Sequence, residues 1–101
     1  MKTFDQLGLA SEIIKAIQEL GFDQPMPVQE EVIPLLLGET RDIIALAQTG
    51  TGKTAAFGLP IIHKIDVKQK APQTLILCPT RELCHQISGD LNDYSKYIDG
   101  I

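Results

Sequence analysis

The chain has 101 residues, with nine lysines and arginines against thirteen aspartates and glutamates, for a net charge of −4. Apolar residues make up 44% and charged residues 22%, a globular balance that excludes a disordered chain, and the length allows one domain at most. No apolar run approaches the roughly 18 residues of a membrane span. The opening Met1-Lys2-Thr3-Phe4-Asp5 lacks the apolar stretch of a secretory signal, and a cytoplasmic location is expected. An acidic chain has no general attraction for nucleic acid, so any such contact must be local.

A first helix is expected from about Ala10 to Leu20. Ile13, Ile17 and Leu20 share one face, and Ala10 and Ile14 widen the stripe. Gly21 stands where a glycine stops a helix. After the turn Asp23-Gln24-Pro25-Met26, Pro27 fits the first position of a second helix reaching Leu37 and ending at Gly38. Pro34 inside it should kink or split it. Asp42–Ala47 is a short apolar run without alternation, read as a strand buried on both faces. A glycine-rich turn, Gln48 to Gly52, leads to a helix over Lys53–Lys64, and Asp66–Pro72 is a polar connector. Thr74–Cys78 reads as a second buried strand. Thr80 is a plausible N-cap for a last helix to about Tyr97, with Leu83, Ile87, Leu91 and Tyr94 facing inward. Strand, helix, strand, helix in this order argues for an α/β fold with a parallel sheet. Cys78 and Cys84, spaced C-x5-C, with His63 and His85 elsewhere, do not make the paired four-ligand pattern of a zinc site. Two reduced, largely buried thiols are expected.

The strongest chemical signal is Ala47-Gln48-Thr49-Gly50-Thr51-Gly52-Lys53-Thr54, between an expected strand and an expected helix. Gly50 and Gly52 free the backbone to point successive N–H groups at an anion. The helix start adds unpaired N–H donors and the positive end of its dipole. Lys53 supplies a positive charge for the β- and γ-phosphates, and Thr54 a hydroxyl for a bridging Mg²⁺. The general phosphate-loop pattern has glycine where Ala47 stands. The plainer alternative is a glycine turn capping a helix with Lys53 merely solvated.

Upstream, Gly21-Phe22-Asp23-Gln24-Pro25-Met26-Pro27-Val28-Gln29 offers candidates for the base. A side-chain amide presents a donor beside an acceptor, complementary to adenine N6 and N7, so Gln29 is a candidate reader and Gln24 a further contact. Phe22 could stack on the purine. Alone, Gln29 would be a surface residue and Phe22 a core plug. Downstream, Pro79-Thr80-Arg81-Glu82-Leu83 follows the second strand at the edge where open α/β sheets bind ligands. Pro79, Thr80 and Arg81 are candidates for gripping backbone phosphates of a strand. The alternative is an N-capped helix with solvated charges.

On these three segments the chain resembles the DEAD-box family of ATP-dependent RNA helicases, from Phe4 to about Gln86. Gly21 to Gln29 looks like the family's Q motif, with Phe4 as the upstream aromatic. Ala47 to Thr54 looks like its motif I, alanine included, and Pro79 to Leu83 like its motif Ia. The resemblance implies a partial RecA-like P-loop NTPase domain with a parallel sheet flanked by helices. Residues 1–40 would be the Q-motif helical region and 41–101 the first half of the ATP-binding domain. It implies Phe22, Gln24, Gln29, Thr49, Gly50, Thr51, Gly52, Lys53 and Thr54 around ATP, Lys53 and Thr54 as catalytic groups, Thr54 toward Mg²⁺, and Pro79, Thr80 and Arg81 against RNA. Met26 departs from the family's usual Thr or Ser, which weakens the cap of the second helix. The sequence holds no Asp-Glu-Ala-Asp or Ser-Ala-Thr segment and no second RecA-like domain, so a helicase fragment or truncated product is expected, inactive in isolation. Two other readings compete: a non-catalytic nucleotide-binding fragment, and another P-loop NTPase such as a kinase or DNA helicase. Gln29 and the Pro-Thr-Arg-Glu-Leu segment argue against the latter.

Overall fold

A computed structural model describes residues 3–38, 43–44 and 52–101. A 3-10 helix, Phe4–Leu7, precedes four α-helices: α1 (Ser11–Glu19), α2 (Pro27–Leu37), α3 (Lys53–Lys64) and α4 (Arg81–Tyr94). The 3-10 turn, not anticipated from the sequence, is held by the Thr3 N–H donating to Gln6 Oε1 at 2.9 Å. Its i and i+3 residues, Phe4 and Leu7, fall on one side and are both buried.

α1 buries Ile13 and Ile17 completely. Leu20, expected on that face, is 45% exposed, because it is the cap residue beyond the last helical turn. Gly21 takes φ +90, and its N–H donates to the Gln18 carbonyl at 3.1 Å, while the Phe22 N–H donates to the Ile17 carbonyl at 3.0 Å. This pair of bonds is a Schellman stop. It satisfies the last carbonyls of α1 and turns Phe22 back toward the core.

α2 begins at Pro27, whose missing N–H costs nothing at a first helical position. Pro34 does not split it. The helix runs unbroken to Leu37, since Pro34 forfeits only the bond to the Glu30 carbonyl. α3 matches its expected span. At Gly58 a Cβ would lie 2.8 Å from Leu91 Cδ2, so the absent side chain lets α3 and α4 approach closely. Ile13, Ile17, Ile33, Leu59, Ile62 and Tyr94 join the four helices with Phe4 and Leu7 in one core. Each buried aliphatic contributes about 1.5–3 kcal/mol.

Thr80 Oγ1 accepts the Leu83 N–H at 3.1 Å and caps α4 as expected. Ile87 and Tyr94 of its inner stripe are buried, and Leu83 and Leu91 half-buried. The helix stops at Tyr94 rather than Tyr97: the Ser95 hydroxyl reaches the Asn92 carbonyl at 3.3 Å as well as the Leu91 carbonyl at 2.8 Å, and the Ile98 N–H turns to the Ser95 carbonyl at 2.9 Å. Beyond it, Lys96 pairs with Glu19 at 2.7 Å and the Tyr97 hydroxyl donates to the same carboxylate, tying the C-terminal segment to α1.

The expected parallel sheet is not seen: the described residues contain no strand. Of the run 42–47 only Ile43 and Ile44 are described, and Ile44 is 90% exposed. Thr74–Cys78, expected to be buried on both faces, leaves Leu75 and Leu77 at 81% and 84% exposure. A strand exists through the ladder it shares with a neighbour, and an apolar pattern does not by itself supply one. The thiols are corrected for the same reason. Cys78 lies in this open run and is only half-buried, and Cys84 is exposed.

Candidate nucleotide site

Gln29 is the third residue of α2, the position from which a glutamine side chain reaches back to the preceding cap. Its Oε1 accepts the Met26 N–H at 2.8 Å. Its Nε2 donates to the Gly52 carbonyl at 3.2 Å, so one amide joins the start of α2 to the start of α3. Gln29 is 2% exposed, not the surface residue its type suggests. Met26 supplies no side-chain cap, as its substitution for Thr or Ser implies, and the Gln29 side chain satisfies a different group, the N–H of Met26 itself.

Gly52 sits at φ +85, and a Cβ there would overlap Gln29 Nε2 and lie 3.3 Å from Met26 Cγ. Only glycine fits, on both conformational and steric grounds. Lys53 and Thr54 open α3 immediately after it. Lys53 is exposed and Thr54 half-buried. Their place at a helix start puts a cation and a hydroxyl beside backbone N–H groups that have no intrahelical partner.

Phe22 is half-buried between two rings. Its centroid is 6.0 Å from that of Phe4 at 41°, and 6.0 Å from that of Tyr94 at 71°. Burial, reinforced by the carboxylates of Asp90 and Asp93, pushes the Tyr94 phenol up to about 12, so it stays protonated. Tyr94, the far wall of this aromatic group, was read from the sequence only as core. Its seven-residue spacing from Ile87 gave its face but not its partner.

Phe22, Gln24, Gln29 and Gly52 line one cavity of about 320 Å³ with Met26 and Asp23. Phe22, Gln29, Gly52, Lys53 and Thr54 also line an adjoining cavity of about 920 Å³, closed by α4 through Ile87 and Tyr94. The structure therefore gathers Phe22, Gln24, Gln29, Gly52, Lys53 and Thr54, although they come from segments 23 or more residues apart. Thr49, Gly50 and Thr51 lie outside the described residues. Pro79, Thr80 and Arg81 are exposed and line neither cavity.

The family model for the DEAD/DEAH box helicases matches residues 26–101. The chain belongs to that family. An ATP-dependent RNA helicase DeaD of Buchnera aphidicola is 52% identical over 99 residues, covering 98% of this chain and 16% of the relative. A DEAD-box ATP-dependent RNA helicase CshA of Geobacillus kaustophilus is 53% identical over 91 residues, covering 90% of this chain and 19% of the relative. The chain thus spans less than a fifth of these relatives. Among solved structures, S. cerevisiae Dbp5 bound to RNA and ADP BeF3 superposes with a TM-score of 0.91 at 41% identity, over 96% of this chain and 25% of that one. A DEAD box protein from the hyperthermophile Methanococcus jannaschii gives a TM-score of 0.87 at 38% identity, over 91% of this chain and 25% of that one. The helical arrangement described above is therefore that of a segment of a DEAD-box helicase. Among the described residues, no helix is long and apolar enough to cross a membrane.

Proposed function

We propose that this chain is the N-terminal ATP-binding part of a cytoplasmic ATP-dependent RNA helicase, in which ATP binding and hydrolysis drive local unwinding of an RNA duplex. The observation that carries the reading is the Gln29–Gly52 bond, which seats a purine-reading amide against the start of the phosphate-binding helix. Family membership and the RNA- and nucleotide-bound relative support it.

Residues 1–40 would form the Q-motif region and 41–101 the first half of a RecA-like domain, in which segments 42–47 and 74–78 join a parallel sheet. Gln29 uses one lone pair on Met26 and one proton on Gly52. An amide keeps a second of each, the pair that adenine N7 and N6 require. Phe22, held by Phe4 and Tyr94, lines the base pocket and offers the purine an aromatic wall, with Gln24 beside it. Gly52, at a φ of +85 that favours glycine, would begin the backbone cradle of the phosphate loop, and Thr49, Gly50 and Thr51 would continue it. Lys53 neutralises charge on the β- and γ-phosphates. Thr54 is the group that would hold Mg²⁺, which supplies electrostatic stabilisation of the transferring phosphoryl. Pro79, Thr80 and Arg81, exposed at the start of α4, would grip RNA backbone phosphates.

A chimera tests this. Residues 1–101 replace the matching segment of the Geobacillus kaustophilus CshA relative, and phosphate release from ATP is followed with and without RNA. RNA-stimulated release that disappears on Lys53→Ala is expected. A folded chimera with no RNA-stimulated release would remove the reading.

A further inference from the structure

Met26 lines the cavity of about 320 Å³ together with Phe22, Gln24 and Gln29, a volume at the lower end of the range for ligand pockets. Its backbone is fixed from both sides. Pro27 confines the residue before it to extended conformations, and Met26 sits at φ −70 and ψ 158. The Gln29 amide oxygen takes its N–H at 2.8 Å. The side chain lies along the start of α3, its Cγ 3.3 Å from the point where a Cβ on Gly52 would stand. Even so, Met26 is 41% exposed, caps no helix and is not part of the hydrophobic core. A lone exposed apolar side chain is ordinary. One anchored at its backbone, facing a cavity shared with an aromatic ring and a purine-reading amide, is placed for a ligand.

We propose that Met26 is a base contact, its side chain packing on the purine ring of an adenine nucleotide in the cavity it shares with Phe22. The inference rests on the nucleotide-site reading above and adds a binding residue to it. A thioether is polarisable and packs favourably against aromatic rings, and an unbranched side chain adapts its shape to the ring that enters. The work divides by chemistry. The Gln29 amide reads the edge of the base, while Met26 and Phe22 supply apolar surface, which adds affinity without choosing among purines. The Thr or Ser usual at this position would cap α2 but ends at its γ atom. Met26 forgoes the cap and carries a sulfur and a methyl group further into the cavity.

The CshA chimera carrying residues 1–101 is treated with dilute hydrogen peroxide, which gives one oxygen to a thioether sulfur and leaves water, and Met26 sulfoxide is followed by peptide mass. With ATP at about ten times its dissociation constant, about a tenth of the sites stay empty, so Met26 oxidation should slow about tenfold. Tripolyphosphate, which has the phosphates and no base, should leave the rate unchanged. Met26→Ser regains a cap, so its urea midpoint should not fall. Its affinity for ATP should nonetheless drop about tenfold, the effect of losing about two methylene-sized contacts, while its affinity for tripolyphosphate holds. ATP that binds without slowing the oxidation, tripolyphosphate that protects as well as ATP, or unchanged ATP affinity in Met26→Ser would each overturn the Met26 contact and leave the nucleotide site standing. ATP that fails to displace a fluorescent analogue from the unmutated chimera would overturn both.

Discussion

The Gln29 amide donates to the Gly52 carbonyl at 3.2 Å, and Gly52 is the residue whose missing Cβ makes room for that amide. The two are interdependent. The Gly52 carbonyl, with Gly52 at φ +85, also accepts the Ala56 N–H at 3.1 Å, so one oxygen both opens α3 and holds the Gln29 amide.

Gly52→Ala should destabilise the chain more than Gly21→Ala. Both glycines occupy the left-handed region, at φ +85 and φ +90, so both variants bear about 1–2 kcal/mol of backbone strain. A Cβ at Gly21 meets nothing within 4 Å, whereas one at Gly52 displaces the Gln29 amide. Urea melts of the two variants isolate the difference. Equal losses would mean that the Gln29 contact contributes nothing.

Gln29→Glu tests the other side of the bond. The carboxylate still accepts the Met26 N–H, but it has no proton for Gly52 and turns a donor into a charge facing a carbonyl. The Gly52 carbonyl keeps the Ala56 N–H, so the cost is the lost Gln29 bond and the burial of a charge against a carbonyl, about 1–3 kcal/mol. A urea melt should show that loss, with Gln29→Ala also losing the Met26 partner. A variant as stable as wild type would contradict the observed hydrogen bonding.

The spans of α2 and α3 were legible because both starts are written in local chemistry, Pro27 at a first helical position and Gly52-Lys53-Thr54 after a glycine turn. The end of α4 was not, because the Ser95 hydroxyl reaches the Asn92 carbonyl that the next helical N–H would take, a choice that apolar spacing does not encode. The sheet was unreadable in another sense. Thr74–Cys78 carries a strand's composition, but a strand needs a ladder neighbour, which composition does not supply, and the described residues contain none. Gln29 is a candidate base reader by residue type, while its place between Met26 and Gly52 depends on where α3 begins, 23 residues away.

Glu19 should make stability pH-dependent on the acid side. The Lys96 ammonium and then the Tyr97 hydroxyl hold its carboxyl below the usual 4.5. The folded chain therefore binds this proton more weakly than the unfolded one. The stabilisation is complete above pH 4.5 and disappears as pH falls through the lower folded-state value. Melting temperatures of wild type and Glu19→Gln should differ at neutral pH and converge in acid. A constant gap would assign the effect to packing.

Leu75 and Leu77, with Ile44, form exposed apolar surface that a sheet would otherwise cover. The isolated chain should self-associate, and Leu75→Lys with Leu77→Lys should reduce this in sedimentation velocity. A wild-type chain that stays monomeric at high concentration would show that this segment is not adhesive.

The central claim is that Gln29, Gly52 and Lys53 form one adenine-nucleotide site, and displacement of a fluorescent ATP analogue from the CshA chimera tests it most directly. ATP should compete at a concentration at least about tenfold lower than GTP, because guanine O6 offers an acceptor where adenine N6 offers a donor. Lys53→Ala should weaken binding by about 1.5–3 kcal/mol. Equal displacement by ATP and GTP, unchanged by Lys53→Ala, would contradict the account.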